Sequence, residues 1–268
     1  MRSQIALIAA LAVFLGVLSA NAATVTLSPI QDNTLYETPA RTPDGTAVLS
    51  NGAGDYLFAG RILTGELRRA LIAFDVAGSL PSGAAITEVS LTLQMSKTIA
   101  GPTPVTLHRV LADWGEGDSQ AGGEEGAGAP AQSGDATWQH TFYPSSFWLV
   151  QGGDFVGTPS ASQTVAGNGA YTWQSTPELV ADVQRWLDSP SANFGWVVLG
   201  SESAPPTAKR FNSRENGAGV PSLTITYQAP VPTAPVWALG ALLGLLSAAG
   251  LWQIRARWLP TETGTSLD

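Results

Sequence analysis

Residues 69–76 (RALIAFDV) are the segment that most constrains the fold of this chain. This short, mostly apolar run is followed by the turn-forming residues 78–81 (GSLP), a pattern that favours a buried strand over a helix. Asp75 lies at its exit, where a carboxylate can accept hydrogen bonds from a turn backbone. We therefore expect a central strand of a β-sandwich, with structural charges at Arg69 and Asp75.

Other short segments agree with an all-β domain. Residues 86–95 and 223–227 alternate polar and apolar side chains, as half-buried strands do, and glycine-rich turns separate such segments. Spaced short strands of this kind indicate a sandwich or a barrel. One helix is expected after Thr176, which can cap it, with Pro177 at its first position and Ser189 near its end.

The first 22 residues are expected to be a signal peptide. A basic start precedes an apolar run at 5–18, and residues 20–22 (ANA) fit the cleavage rule. An uncleaved anchor helix is the alternative. Cleavage would leave residues 23–229 as the mature domain of an exported protein.

Residues 230–268 are expected to carry a membrane segment. The run at 236–254 has about 20 residues without charge, enough to span a bilayer. Trp237 and Trp252 lie near its ends, and Arg255 and Arg257 follow, as the positive-inside tendency expects. The alternative is a buried core helix.

At the C-terminus, a proline-containing motif is followed by an apolar run and then by arginines. This order of features resembles the sorting signals of Gram-negative bacteria of the IPTL-CTERM type. Residues 231–233 (VPT) stand where that family has Ile-Pro-Thr, whereas Ala234 replaces its Leu and the chain continues to Asp268. The resemblance implies either recognition by a sorting protease or a helix that remains as a membrane anchor, at the cell envelope, the outer surface or the extracellular matrix.

The mature domain resembles the DNRLRE domain, which is related to disaggregatase repeats and to carbohydrate-binding module family 96. Residues 32–37 (DNTLYE) resemble its name-giving motif, with Thr34 and Tyr36 in place of the arginines. Its later landmarks resemble segments at 69–75, 80–86, 113–117, 136–138, 183–186, 193–196 and 211–215. The resemblance implies a jelly-roll-like antiparallel β-sandwich of exported proteins that is attached to polysaccharide-active enzymes.

Composition excludes several function classes. The formal net charge of −8 argues against nucleic acid, whose phosphates require a basic surface. The chain has no cysteine, which excludes disulfides, thiolate metal sites and a thiol nucleophile. Stability must therefore come from core burial and from a bound cation, if one is present.

Four aromatic residues in turn-rich sequence are candidates for sugar stacking, because pyranose rings pack on flat aromatic faces. They are Trp138, Tyr143, Trp148 and Trp173, and Arg214 is a further candidate for ligand contact. The alternatives are aromatic rings that fill the ends of the sandwich and an arginine that belongs to a structural ion-pair network.

Residues 113–135 read as a long acidic surface loop with little to build a core. Asp113, Glu116 and Asp118 offer oxygen ligands in a glycine-spaced segment and predict a structural Ca²⁺ site, with a solvated loop as the alternative. Glu124 and Glu125 are expected to be solvated.

No motif in the sequence indicates catalysis. The sequence contains no nucleophile elbow, zinc-binding helix or phosphate loop, and His108 and His140 are more typical of structural positions. We expect a non-catalytic surface module that binds polysaccharide. The alternatives are a structural or adhesive envelope protein without a sugar site and, third, a polysaccharide lyase or hydrolase.

Overall fold

The computed structural model describes residues 22–38, 48–203 and 205–230. Apart from the boundary residues Ala22 and Pro230, the predicted signal peptide (1–22) and the C-terminal segment (230–268) lie outside these ranges. Within them, no helix is both long and apolar enough to cross a membrane. The described residues belong to one compact unit that contains its own hydrophobic core.

The strands and the helix follow one another along the chain. They are β1 (Ala22–Leu27), β2 (Gln31–Tyr36), β3 (Leu49–Ser50), β4 (Tyr56–Arg61), β5 (Leu67–Ala73), β6 (Ala85–Thr98), β7 (Thr103–Arg109), β8 (Ala129–Pro130), β9 (His140–Phe142), β10 (Ser146–Phe147), β11 (Ala161–Val165), β12 (Gly169–Trp173), α1 (Pro177–Asp188), a 3₁₀ turn (Pro190–Ala192), β13 (Trp196–Leu199), β14 (Lys209–Asn212) and β15 (Ser222–Gln228).

Most strands belong to one antiparallel sheet of 11 strands that curls into two layers. The first layer contains β1, β15, β6 and β14, with β12 also paired to β6, and the second contains β5, β2, β13, β7 and β11. Strand β4 joins them, since its first part pairs with β14 and its last two residues, beginning at Gly60, pair with β5. Gly60 has a φ of 114°, which only glycine adopts without strain, so it marks the corner. The predicted all-β sandwich is confirmed.

Strand β5 lies at the centre of this unit, as the sequence predicts, although it runs from Leu67 to Ala73 and not over the whole of residues 69–76. Ala70 and Ile72 face the main cluster between the layers, whereas Leu71 and Ala73 face a second cluster. Burial on both faces explains why β5 is a continuous apolar run instead of an alternating one.

The charges at the two ends of β5 are structural but do not pair with each other. Asp75 Oδ1 accepts a hydrogen bond from the Gly78 amide at 2.8 Å, which confirms the expected turn cap. The Arg69 guanidinium donates to both carboxylate oxygens of Glu202, at 2.7 and 3.0 Å, and to the Gly152 carbonyl at 2.8 Å. Arg69 thus ties β5 to two loops.

The predicted helix is confirmed with its cap. Thr176 Oγ1 accepts a hydrogen bond from the Leu179 amide at 3.0 Å, and Pro177 is the first residue of α1. The apolar face of α1, which includes Trp186, packs into the main cluster. Ser189 follows the last helical residue.

The loop at 113–135 is packed, so the expectation that it builds little core is wrong. Trp114 is buried in the second cluster. Glu125, which we expected to be solvated, is also buried. Its carboxylate accepts hydrogen bonds from Asn51 Nδ2 at 2.8 Å and from the amides of Asp55 and Tyr56 at 3.0 and 2.9 Å. One buried carboxyl group therefore fixes this loop to the start of β4.

Candidate functional site

Two of the four predicted stacking residues are core residues. Trp173 is fully buried and donates its indole N–H to the Val105 carbonyl at 2.9 Å. Trp148 is also buried and donates to the Thr137 carbonyl at 2.8 Å. An enclosed ring has no face to offer a ligand, so the prediction of sugar stacking on Trp148 and Trp173 is wrong.

Trp138 and Tyr143 are half-buried and are both engaged with protein groups. The Arg69 guanidinium lies 4.8 Å from the centre of a Trp138 ring, a cation–π contact. Tyr143 meets His140 edge to face at 5.1 Å between ring centres. These contacts give both rings a structural role and leave only part of each accessible.

Phe147 is the aromatic residue that is exposed among those the structure describes, at 62% of its surface. It lies on β10, and its ring rests on that of His140, with the ring centres 4.4 Å apart. It borders a groove of about 470 Å³. The groove is lined by Leu111, Ala112, Phe147, Leu149, Val150, Gly153, Asp154 and Phe155.

The loop beside this groove is held rigidly. The two carboxylate oxygens of Asp154 accept hydrogen bonds from the amides of Leu149 and Val150, each at 2.8 Å. The Gly152 amide donates to the Trp138 carbonyl at 2.7 Å. Leu149, which is 94% exposed, is therefore presented to solvent on a fixed turn. Sequence reasoning missed this groove because it selected Trp148 and passed over its neighbour Phe147.

The three predicted metal ligands do not come together. Asp113 and Asp118 are exposed, whereas Glu116 joins Asp32 and Glu215 in a cluster whose carboxylate oxygens lie within 4.8 Å of one another. The predicted set of Asp113, Glu116 and Asp118 is therefore wrong in two of its members. The acidic loop contributes one carboxylate, and β2 and the segment after β14 contribute the others.

Arg214 lies within this acidic cluster, which gives it a structural role. Its Nε and Nη2 atoms donate to the two carboxylate oxygens of Glu116, each at 2.7 Å, and its amide donates to Asp32 Oδ2 at 2.8 Å. Its Nε also lies 2.8 Å from Glu215 Oε1. The structure confirms that Arg214 belongs to an ion-pair network, and its contact with a ligand stays a prediction.

The cluster contains three carboxyl groups and one guanidinium. Burial, followed by the nearby Glu215 charge, raises the pKa of Asp32 well above its ordinary value. Burial likewise raises the pKa of Glu215. Glu215 Oε2 is buried without a hydrogen-bond partner among the described residues. Three carboxylates facing one guanidinium, with one orphaned oxygen, fit the oxygen ligands that Ca²⁺ prefers.

The two histidines have structural partners. His108 Nδ1 lies 2.8 Å from the Val156 carbonyl, and its Nε2 lies 3.0 Å from Thr106 Oγ1. His140 Nδ1 lies 2.9 Å from Thr137 Oγ1. Burial lowers the pKa of both imidazoles, which favours their neutral forms.

No protein-family model and no curated protein matches the sequence. The resemblance to the DNRLRE domain therefore stays a prediction. The functional assignment rests on the geometry described above.

Proposed function

We propose that this protein is an exported, surface-associated, non-catalytic β-sandwich module that binds extracellular polysaccharide. The observation that carries the proposal is Phe147, an exposed aromatic ring beside a groove on a rigid loop. Loops positioned by a rigid scaffold are frequent ligand sites. The groove replaces the site predicted from Trp148 and Trp173.

Phe147 supplies what a sugar-binding platform needs. One pyranose ring can stack on its exposed face, while His140 supports it from within the hairpin formed by β9 and β10. Asp154 holds the neighbouring turn, so little conformational entropy is lost when a ligand binds.

A second candidate is an adhesive envelope protein without a sugar site. The exposed aliphatic residues Leu149 and Val150 favour it, because aliphatic side chains on a fixed turn suit an apolar protein surface. The burial of Trp148 and Trp173 also favours it, since the described residues present no row of exposed indole rings.

Export and membrane attachment belong to the same proposal. The signal peptide and the C-terminal apolar segment lie outside the described residues, and sequence patterns alone support them. Within the described part, Ala22 is the cross-strand partner of Gln228. Both processing segments would therefore be linked to the module at neighbouring strand ends.

A structural Ca²⁺ ion completes the proposal. Asp32, Glu116 and Glu215 would hold it, and its charge would offset the excess of carboxylates. Such an ion would join three segments of a chain that has no disulfides.

Affinity electrophoresis of residues 20–230 in gels containing single soluble polysaccharides tests the sugar proposal. We expect at least one polysaccharide to retard the protein. Phe147→Ala should weaken that binding about fivefold to tenfold, the value of one aromatic stacking contact. Ile99→Ala removes another exposed apolar side chain and serves as the control.

The adhesive alternative predicts a different result. If no polysaccharide retards the wild-type domain, the sugar proposal is wrong. If Phe147→Ala and the wild type are retarded equally, polysaccharide binding does not occur at this groove.

A further inference from the structure

A second groove lies on the outer face of the first layer and is polar. It has a volume of about 270 Å³. Its polar lining comes from β6, from β15 and from the turn after β12, and consists of Glu88, Ser90, Gln174, Ser175, Thr224 and Thr226. Glu88 and Gln174 are exposed, so their side chains are accessible to a ligand.

Hydroxyl groups extend this groove into a regular array. The cross-strand rows are Thr24–Thr226–Glu88, Thr26–Thr224–Ser90 and Ser222–Thr92–Thr172. Rows on one face repeat about every 7 Å along a strand, and neighbouring strands lie about 4.8 Å apart. The array therefore offers hydrogen-bonding groups at fixed intervals over four strands.

The threonine side chains of the array are held by one another. The hydroxyls of Thr24 and Thr226 lie 3.1 Å apart, and those of Thr92 and Thr172 lie 2.9 Å apart. At the rim, Ser175 Oγ accepts a hydrogen bond from the Val89 amide at 3.1 Å. Fixed rotamers lower the entropy cost of binding, so the face is prepared for a ligand.

The charge of this face selects the ligand class. Strands β1, β12 and β15 contain no lysine, arginine, aspartate or glutamate, and Glu88 is the charged residue at the groove. At this groove a polyanionic ligand would be repelled by the Glu88 carboxylate, and no cationic residue of the lining would offset that repulsion. A neutral polyol can instead exchange hydrogen bonds with hydroxyl, amide and carboxylate groups.

We propose that this polar groove and its threonine array are a second glycan-binding surface, specific for neutral polysaccharides. The inference rests on the proposed function and deepens it by naming the substrate class. Glu88 and Gln174 would bind sugar hydroxyls at the groove, and the threonine rows would contact the neighbouring sugar units.

Affinity electrophoresis of residues 20–230 with galactomannan and mixed-linkage β-glucan as neutral probes and polygalacturonate as the anionic probe tests this surface. We expect a neutral probe to retard the wild-type domain and polygalacturonate to leave it unretarded. Gln174→Ala and Thr226→Val should each weaken binding about threefold to tenfold, which corresponds to one lost hydrogen bond. Thr164→Val, at an exposed threonine of β11 in the other layer, is the matched control.

The outcomes separate this surface from the groove at Phe147. Binding to a neutral probe that falls in Phe147→Ala but not in Gln174→Ala or Thr226→Val overturns the second surface and leaves the proposed function standing. Preferential retardation by polygalacturonate overturns the assignment to neutral glycans. Absence of retardation by both neutral probes overturns the second surface, whereas the proposed function fails only if no soluble polysaccharide retards the domain.

Discussion

Replacing Glu215 by glutamine tests whether the acidic cluster binds Ca²⁺. The substitution removes one of three carboxylates from the cluster while leaving an oxygen that can face Arg214. It also changes Glu215 Oε2, the buried oxygen for which no described residue provides a hydrogen bond. We expect the wild-type domain to be stabilised by Ca²⁺ and Glu215→Gln to lose most of that effect.

The expected size follows from binding linkage. Extracellular calcium modules have dissociation constants of about 10⁻⁴ to 10⁻³ M, so 10 mM Ca²⁺ would stabilise the folded state by roughly 1.4 to 2.7 kcal/mol. In a domain of roughly 200 residues, this corresponds to a rise in the melting temperature of about 3 to 10 °C. Differential scanning calorimetry of residues 20–230 with Ca²⁺, and then with excess EDTA, measures it.

Asp118→Asn is the matched control, because it removes the same charge from an exposed position outside the cluster. This variant should keep the full calcium response. The wild type should also keep its response when the reference sample contains NaCl at the same ionic strength. Equal calcium responses in Glu215→Gln and the wild type would refute the assignment of the ion to this cluster. A wild-type melting temperature that Ca²⁺ does not change would refute the calcium site altogether.

Three further predictions concern the stability of the fold. Glu125→Ala should lower the free energy of unfolding in urea by about 3 to 5 kcal/mol, since three donors lose their acceptor, whereas Glu124→Ala, at an exposed carboxylate, should lower it far less; equal losses would contradict the burial of Glu125. Trp173→Ala should cost about 3 to 5 kcal/mol by urea denaturation, and a loss below about 1 kcal/mol would mean that its ring is not enclosed. Because burial lowers the pKa of His108, the unfolded state binds more protons there, and stability should fall as the pH drops below about 6.5. Thermal melts from pH 8 to 5 should show a smaller fall in His108→Gln, and an identical fall would exclude this histidine as a source.

Local patterns predicted the parts of the fold that local chemistry determines. The apolar run at β5 and the Thr176 cap of α1 each depend on a few neighbouring residues, and the structure contains both. Phe147 and Trp148 are adjacent in an irregular hairpin, and predicting the exposed ring requires knowing which of the two side chains faces the core. The register between Ser146 and Phe147 shifts, so simple alternation does not decide it.

The acidic cluster was missed for a different reason. Asp32 and Arg214 are separated by 182 positions, and only the pairing of strands brings them together. Spacing along the chain instead favours Asp113 and Asp118, which share a loop with Glu116 but are exposed and lie outside the cluster. Charged residues in one loop are close in sequence without having to share a site.

The residues on which the DNRLRE resemblance depends are occupied with each other. Asn33 is buried, donates to the Glu116 carbonyl at 2.7 Å and accepts from the Asn51 amide at 3.1 Å. Because Asp32 and Arg214 belong to the same network, these motif residues join β2, the acidic loop and the segment after β14. The hydrogen bonds of Asn33 and Arg214 therefore give these motifs an architectural role, which by itself names no polysaccharide ligand. Under the proposed function, polysaccharide specificity would come from exposed residues outside the motifs, and a change at Phe147 or Gln174 should alter ligand choice without altering the fold.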